Sequence, residues 1–287
     1  MIDFQALVID RFVRELRSEY EQTYSQLEPQ VASVLEWAGR LVLENISNSD
    51  ALYHNMEHTV MVSLVGQAIL RGKHLCEGGV KPRDWMHYLM ALLCHDIGYV
   101  KGVCRNDRAG AYATGTGDGT VEISDEWTDV SLTPYHVDRS KQFVRERFGG
   151  KLLVELDASL ICDYIEMTRF PVPDDEFHKN TLGYHGLVRA ADLIGQLGDP
   201  NYLRKLPGLY FEFQETGSLE RSGYKSPGHM RRSFAPFYWN VVRPYINEAV
   251  RYLRVTHEGK EWLVHLHSHV FEIEHPMIDV ITARSPS

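Results

Sequence analysis

Apolar residues return at helical spacing along nearly the whole chain, and that periodicity limits the fold more than any other feature. In 3–27 they stand at Phe4, Leu7, Val8, Phe12 and Leu16, the steps of three and four that give a helix one apolar stripe. Pro29 suits a first helical turn, where its missing N–H costs nothing, and Val34, Trp37, Leu41 and Val42 follow in register. Ser49-Asp50 is a helix-start signal for a helix running to about Arg71, where Gly72 favours an end. Pro82 opens the next, through Trp85, Tyr88, Leu89 and Leu92 into His95-Asp96. Further helices are expected over 135–148, 152–168, 186–197, 207–215, 229–256 and 260–274, with a bend at Pro244, which removes one backbone hydrogen bond. Almost nothing alternates with the period of two that marks a strand. The expectation is an all-α helical bundle with one main domain, 49–287, and a helical segment, 1–48, packed on it. That leading segment is also a candidate arm for a homodimer.

One stretch breaks the pattern. Residues 101–131 contain glycines at 102, 110, 115, 117 and 119 and no periodicity. Loops of this length are often functional. The sequence lacks the Gly-Lys-Ser/Thr ending of a phosphate loop. A mobile flap over a neighbouring site and an inert surface loop are both open readings.

Composition narrows the function. The 44% apolar and 24% charged content is that of a globular protein, and the formal net charge of −9 argues against general nucleic-acid binding, which needs clustered Lys and Arg. Cys76, Cys94, Cys104 and Cys162 show no CxxC spacing and read as free thiols in a reducing compartment. The N-terminus lacks a signal-peptide layout, and no apolar run nears the ~20 residues that cross a bilayer. A cytoplasmic protein acting on a small molecule is expected.

Chemistry concentrates in Tyr53-His54-Asn55-Met56-Glu57-His58, His95-Asp96 and Asp192. On a helix, His54 and His58 would share a face. His95-Asp96 can act together only where the backbone turns, and Gly98 is placed to supply the turn. Asp192 lies in the apolar window Val188-Arg189-Ala190-Ala191-Asp192-Leu193-Ile194. A carboxylate is costly to bury there unless it is paired or metal-bound. Arg189, one turn away, is its alternative partner. Two imidazoles and two carboxylates suit Zn, Mn or Fe, and the carboxylates suit Mg. Fourteen histidines make one HxxxH pair uninformative alone; the combination is what carries weight.

The combination of His58, His95-Asp96 and Asp192 resembles the ligand pattern of the HD-domain metal-dependent phosphohydrolases, and Tyr53-His54-Asn55 before His58 resembles their cyclic-nucleotide phosphodiesterase branch. The likeness extends through Tyr210-Phe211-Glu212-Phe213-Gln214, the Leu219–Pro227 stretch and Phe237 with Val241-Val242-Arg243-Pro244. It implies an all-α phosphodiesterase-like domain and one or two divalent metals held by His58, His95, Asp96 and Asp192. It implies metal-activated hydroxide as nucleophile, His54 as general acid, and a substrate wall including Tyr53, Asn55, Tyr99, Phe234 and Phe237. The sequence departs from the family at three positions. Phe234 stands where a base-reading glutamine is usual, Tyr99 where a histidine serves the second metal, and Thr133 where a glutamate does. His136, close by, is the candidate substitute for the second metal. The expected substrate is a small phosphorylated molecule, a nucleotide among the candidates, with phosphodiester or phosphomonoester hydrolysis as the reaction.

Two other classes remain open from the residues alone. One is an HD-type di-iron oxygenase, favoured by His136 and Tyr99. The other is a non-catalytic HD binding module. Asn55 reads equally as an orienting residue or a helix cap. His265, His267 and His269 read as a solvated face with adventitious metal affinity, and Arg231-Arg232 as a surface pair.

Overall fold

The computed structural model describes residues 2–150 and 156–276. Helices dominate: α1 (Phe4–Tyr24), α2 (Pro29–Ile46), α3 (Met56–Glu77), α4 (Pro82–Cys94), α5 (His136–Phe148), α6 (Ala158–Glu166), α7 (Glu176–Lys179) and α8 (Gly183–Leu197). They continue with α9 (Tyr202–Glu215), α10 (Ser218–Ser222), α11 (Pro227–Arg232), α12 (Phe234–Phe237), α13 (Arg243–Leu253) and α14 (His257–Glu274). The all-α expectation holds. None of these helices is long and apolar enough to cross a membrane.

Local chemistry explains the boundaries. Asp3 caps α1 by accepting from the Ala6 N–H at 3.0 Å, and prolines open α2 and α4. The Tyr20 hydroxyl ties the α1–α2 turn by donating to the Leu27 carbonyl at 2.6 Å. Fully buried Leu16, Leu35, Val42, Val62, Ile69, Leu92, Val188 and Ile194 belong to one continuous core, so the N-terminal hairpin and the remainder of the chain are packed together. Each such side chain contributes about 1.5–3 kcal/mol relative to exposure. At the centre, α3 lies along α8 and against α4, while α13 covers α3 and α8.

Several expected boundaries move. Helix α3 starts at Met56, not after Ser49-Asp50; the Ser49 hydroxyl instead accepts from the Ala51 N–H and Asp50 from the Asp129 N–H. It runs past Gly72 to Glu77. A Cβ on Gly72 would lie 2.2 Å from the Tyr252 carbonyl oxygen, so this glycine admits α13 rather than ending a helix. Helix α9 begins ahead of Pro207. The expected helix over 229–256 divides into α11, α12, a wide π-helical turn at Tyr238–Val242 and α13, and Pro244 falls in the first turn of α13. The first residues of the expected 152–168 helix lie outside the described residues.

The glycine-rich stretch is also more ordered than its composition implies. Strands β1 (Ala111–Ala113) and β2 (Thr120–Glu122) pair antiparallel. Arg139, fully buried, anchors them: it meets Asp107 with two bonds of 3.0 and 2.9 Å and donates to the carbonyls of Gly98, Val100 and Ala113. All four cysteines are free, with Cys94, Cys104 and Cys162 buried and Cys76 exposed.

Candidate metal centre

Three helices and one turn deliver the acidic and imidazole groups to one place. His58 comes from the first turn of α3, held inward because the Asn55 side chain caps that turn, accepting from the Glu57 N–H at 3.0 Å and the His58 N–H at 3.4 Å. His95 and Asp96 follow the end of α4, and Asp192 projects from the middle of α8. Ligand atoms of His58, His95 and Asp192 all lie within 4.8 Å of one another. Asp96 Oδ2 joins them, 3.4 Å from His58 Nε2 and 3.2 Å from His95 Nε2. Asp192 Oδ1 is 3.4 Å from His58 Nε2 and 3.6 Å from His95 Nε2.

This arrangement fits a cation. His95 Nδ1 faces the Leu92 carbonyl at 2.7 Å, which makes it the protonated nitrogen and leaves Nε2 as the ligating one. Asp96 Oδ2 is buried with no hydrogen-bond donor, an expensive state for a carboxylate oxygen unless positive charge answers it. Burial disfavours a charged His95, but the Asp96 and Asp192 carboxylates outweigh that and push its pKa up to about 9. The same field that draws a proton there draws a metal.

The backbone at His95-Asp96 is set by contact with α5. The Gly98 N–H donates to Ser140 Oγ at 2.9 Å, and the Ser140 hydroxyl donates to the His95 carbonyl at 2.7 Å. A Cβ on Gly98 would sit 2.0 Å from the His136 carbonyl oxygen. Gly98 is therefore needed for close approach, where the sequence reading assigns it to the turn. That approach brings His136 Nε2 to 3.9 Å from Asp96 Oδ1, with Nδ1 directed at the Thr133 carbonyl at 2.6 Å. His136 Nε2 thus faces Asp96 Oδ1. Tyr99 lies between His54 and His136, its ring stacked on both at centroid separations of 4.8 and 4.3 Å.

His54 corrects the helix-face reading. It precedes α3 and shares no helix face with His58. Its position comes from Glu212 on α9, a residue not singled out from the sequence. Glu212 Oε2 lies 2.6 Å from His54 Nδ1, and Oε1 accepts the Tyr53 and His54 backbone N–H groups at 2.6 and 3.3 Å. Burial works against a charged imidazole, but the charge and hydrogen bond of Glu212 win, and the His54 pKa rises to about 9. Burial pushes the Glu212 carboxyl up, and His54 more than offsets it, so its pKa falls below the ordinary value. A carboxylate among aromatics, as in Tyr210-Phe211-Glu212-Phe213, was the available signal, of the same kind that marked Asp192.

These groups open on a cavity of about 500 Å³ lined by His54, His58, Asp96, Tyr99, Thr133, His136 and Asp192 on one side. Its other walls include Met167, Thr168, Arg169, Phe170, Arg189, Leu193, Gln196, Met230, Phe234 and Phe237. Phe234, Phe237 and Tyr99, expected in a substrate wall, line this cavity. Tyr53 and Asn55 do not line it: Tyr53 is buried behind His54 and His58, and Asn55 is the α3 cap. No residue of 101–131 lines the cavity, because the Arg139 anchor holds that stretch along α5 instead. The Arg189–Asp192 ion pair is absent; Arg189 donates to the Met167 and His178 carbonyls at 3.0 and 2.8 Å. Burial lowers its pKa. Away from the site, His269 is buried against the Leu197 carbonyl at 2.9 Å rather than solvated. Arg231 pairs with Glu272 at 2.5 Å, an ion pair exposed at the surface.

A search of curated proteins and one of solved structures return no match. A family model described as Npun_R2479-like matches residues 2–276, and the chain belongs to that family.

Proposed function

We propose that this member of the Npun_R2479-like family is a metal-dependent phosphohydrolase acting on a small phosphorylated substrate, with phosphodiesters, cyclic nucleotides among them, as the first class to test. One observation carries the reading: a histidine backed by a buried carboxylate, His54 with Glu212 at 2.6 Å, stands beside a His58–His95–Asp192 cluster and faces the same cavity. A purely structural metal site has no use for a proton donor next to it. The free cysteines are in keeping with a cytoplasmic setting.

His58, His95, Asp96 and Asp192 would hold a first metal, and His136 with Asp96 a second. When bound, a divalent metal supplies Lewis acidity that neutralises phosphoryl oxygens and brings the pKa of water towards ~7. The chain's residues do the rest. Glu212 holds the Nδ1–H of His54 and so leaves Nε2 to serve the cavity. With its pKa at about 9, His54 carries a second proton, on Nε2, at neutral pH and can pass that one to the leaving oxygen. Phe234, Phe237, Leu193 and Met230 provide an apolar wall that excludes water and offers a planar group a stacking surface. Phe234 has no amide with which to read a purine edge.

The close approach of His136 to Asp96 also suits a di-iron oxygenase, which keeps that second reading in the test. Full-length protein purified without added metal would first undergo elemental analysis. It would then be assayed on cyclic nucleotides, mononucleotides and bis-p-nitrophenyl phosphate, with oxygen uptake followed in parallel. Turnover that needs stoichiometric metal supports the hydrolase. A metal-loaded protein that hydrolyses none of the panel refutes it, and iron with oxygen consumption selects the oxygenase.

A further inference from the structure

The cavity wall holds one buried cation that meets no carboxylate at ion-pair distance among the described residues. Arg189 is 2% exposed and lines the cavity one helical turn before Asp192. A guanidinium has five N–H donors. Those of Arg189 reach the Met167 carbonyl, the His178 carbonyl and, at 3.8 Å, the Met167 sulfur. Two remain without an acceptor among the described residues, and no described carboxylate lies within ion-pair distance. The Tyr245 ring covers the guanidinium at 4.8 Å. Two carbonyls hold the side chain in place and the Asp175 charge acts on it only from beyond ion-pair distance, so a buried charge is left weakly matched, which is costly. Arg169, its neighbour in the wall, shows the contrast: Glu166 and Asp138 already pair it. Arg221, at the exposed rim, has a serine partner and no carboxylate.

We infer that Arg189 receives a second oxyanion of the ligand, a carboxylate or phosphate separate from the phosphoryl group, so that the preferred substrate is a small molecule with two anionic groups. The inference rests on the proposed function only for placing the first phosphoryl group beside the His–Asp cluster. Charge complements along the cavity: acidic groups at the His–Asp cluster, and a planar donor fork suited to a bidentate oxyanion at Arg189, one helical turn before Asp192. The ligand would bring a counter-charge at ion-pair distance, which no described carboxylate supplies, with Arg221 drawing it in from the rim.

The test is a calorimetric titration of full-length protein, with Mn or Zn present, using alkylphosphonates that cannot be hydrolysed. They end in a hydroxyl, a carboxylate or a second phosphonate, in graded chain lengths. At the length that spans the cavity, a dianionic ligand should bind ~10- to 100-fold more tightly than its hydroxyl-ended counterpart. Arg189→Gln should erase that preference and leave the hydroxyl-ended ligand within about twofold. The better of carboxylate and phosphonate identifies the natural group. Equal binding of all three endings by the wild type at every length overturns the inference, and this arm needs no variant to fold. A preference that survives Arg189→Gln, or disappears only in Arg221→Gln, also overturns it. Discrimination without turnover on any phosphate ester would sink the hydrolase reading and leave this one standing; turnover without discrimination would do the reverse.

Discussion

A histidine that gives up a proton at neutral pH needs a negative charge behind it, and Glu212 stands 2.6 Å from His54 Nδ1. Replacing His54 with Ala should lower kcat by ~10²–10⁴-fold while metal content, read by elemental analysis, stays at the wild-type value. The pH profile gives a sharper check. An acid works only while protonated, so the rate should fall as pH rises through about 9, the value to which Glu212 lifts His54 against burial. In Glu212→Gln that lift is lost, and the alkaline limb should move to lower pH; a limb that stays in place would separate Glu212 from proton transfer. At this scale the cluster of His58, His95, Asp96 and Asp192 was legible from the combination of its residue types, and Asp192 also because a carboxylate inside an apolar window demands an explanation. Glu212 was not, since its partner lies 158 residues away in the chain. Arg189 was legible as a charge, but the alternative pairing with Asp192 is not made, because helical spacing allows a contact that the rotamer does not make.

The elements around the site are held by backbone proximity. Helix α5 touches the Gly98 backbone, where any Cβ would collide with the His136 carbonyl oxygen at 2.0 Å. Gly98→Ala should therefore destabilise by about 1–3 kcal/mol, the usual cost of overpacking. It should also weaken any second metal site that uses His136, which metal titration of the folded variant would show. The β1–β2 hairpin depends on Arg139. Its replacement by Met leaves Asp107 buried with its counter-charge removed, and urea unfolding should register a loss of about 3–5 kcal/mol. Helix existence was readable from periodicity; helix ends were less so. Asn55 outranked Ser49-Asp50 as the start of α3 because its side chain meets two orphan N–H groups, whereas Asp50 was engaged by Asp129. Gly72 and Gly98 advertised turns and instead mark places where another segment passes close.

The whole molecule couples folding to ions and protons. A metal bound at the proposed site favours the folded state, so Mn or Zn at ~100 times Kd should stabilise the wild type by ~2.7 kcal/mol. In a calorimetric scan, Tm should rise with metal and fall with chelator, and His58→Ala should respond to neither. A second dependence lies at the far side, where burial and then the nearby Glu19 charge raise the Glu258 pKa to about 7, with Arg71 only partly compensating. The folded state thus keeps this proton at pH values where the unfolded chain, near 4.5, has lost it. Stability from this group is present below about 4.5 and is lost as pH rises to about 7, by linkage. Glu258→Gln should flatten that slope and raise Tm at pH 8. The sequence by itself determined an all-α architecture and a set of charged residues too costly to bury without a purpose, because periodicity and burial cost are local properties of the chain. The tertiary structure alone decided which residue stands behind His54, why Gly98 must be glycine and which wall Arg189 occupies. Those outcomes depend on helices far apart in sequence coming within a few ångströms of each other, a distance that no local pattern encodes.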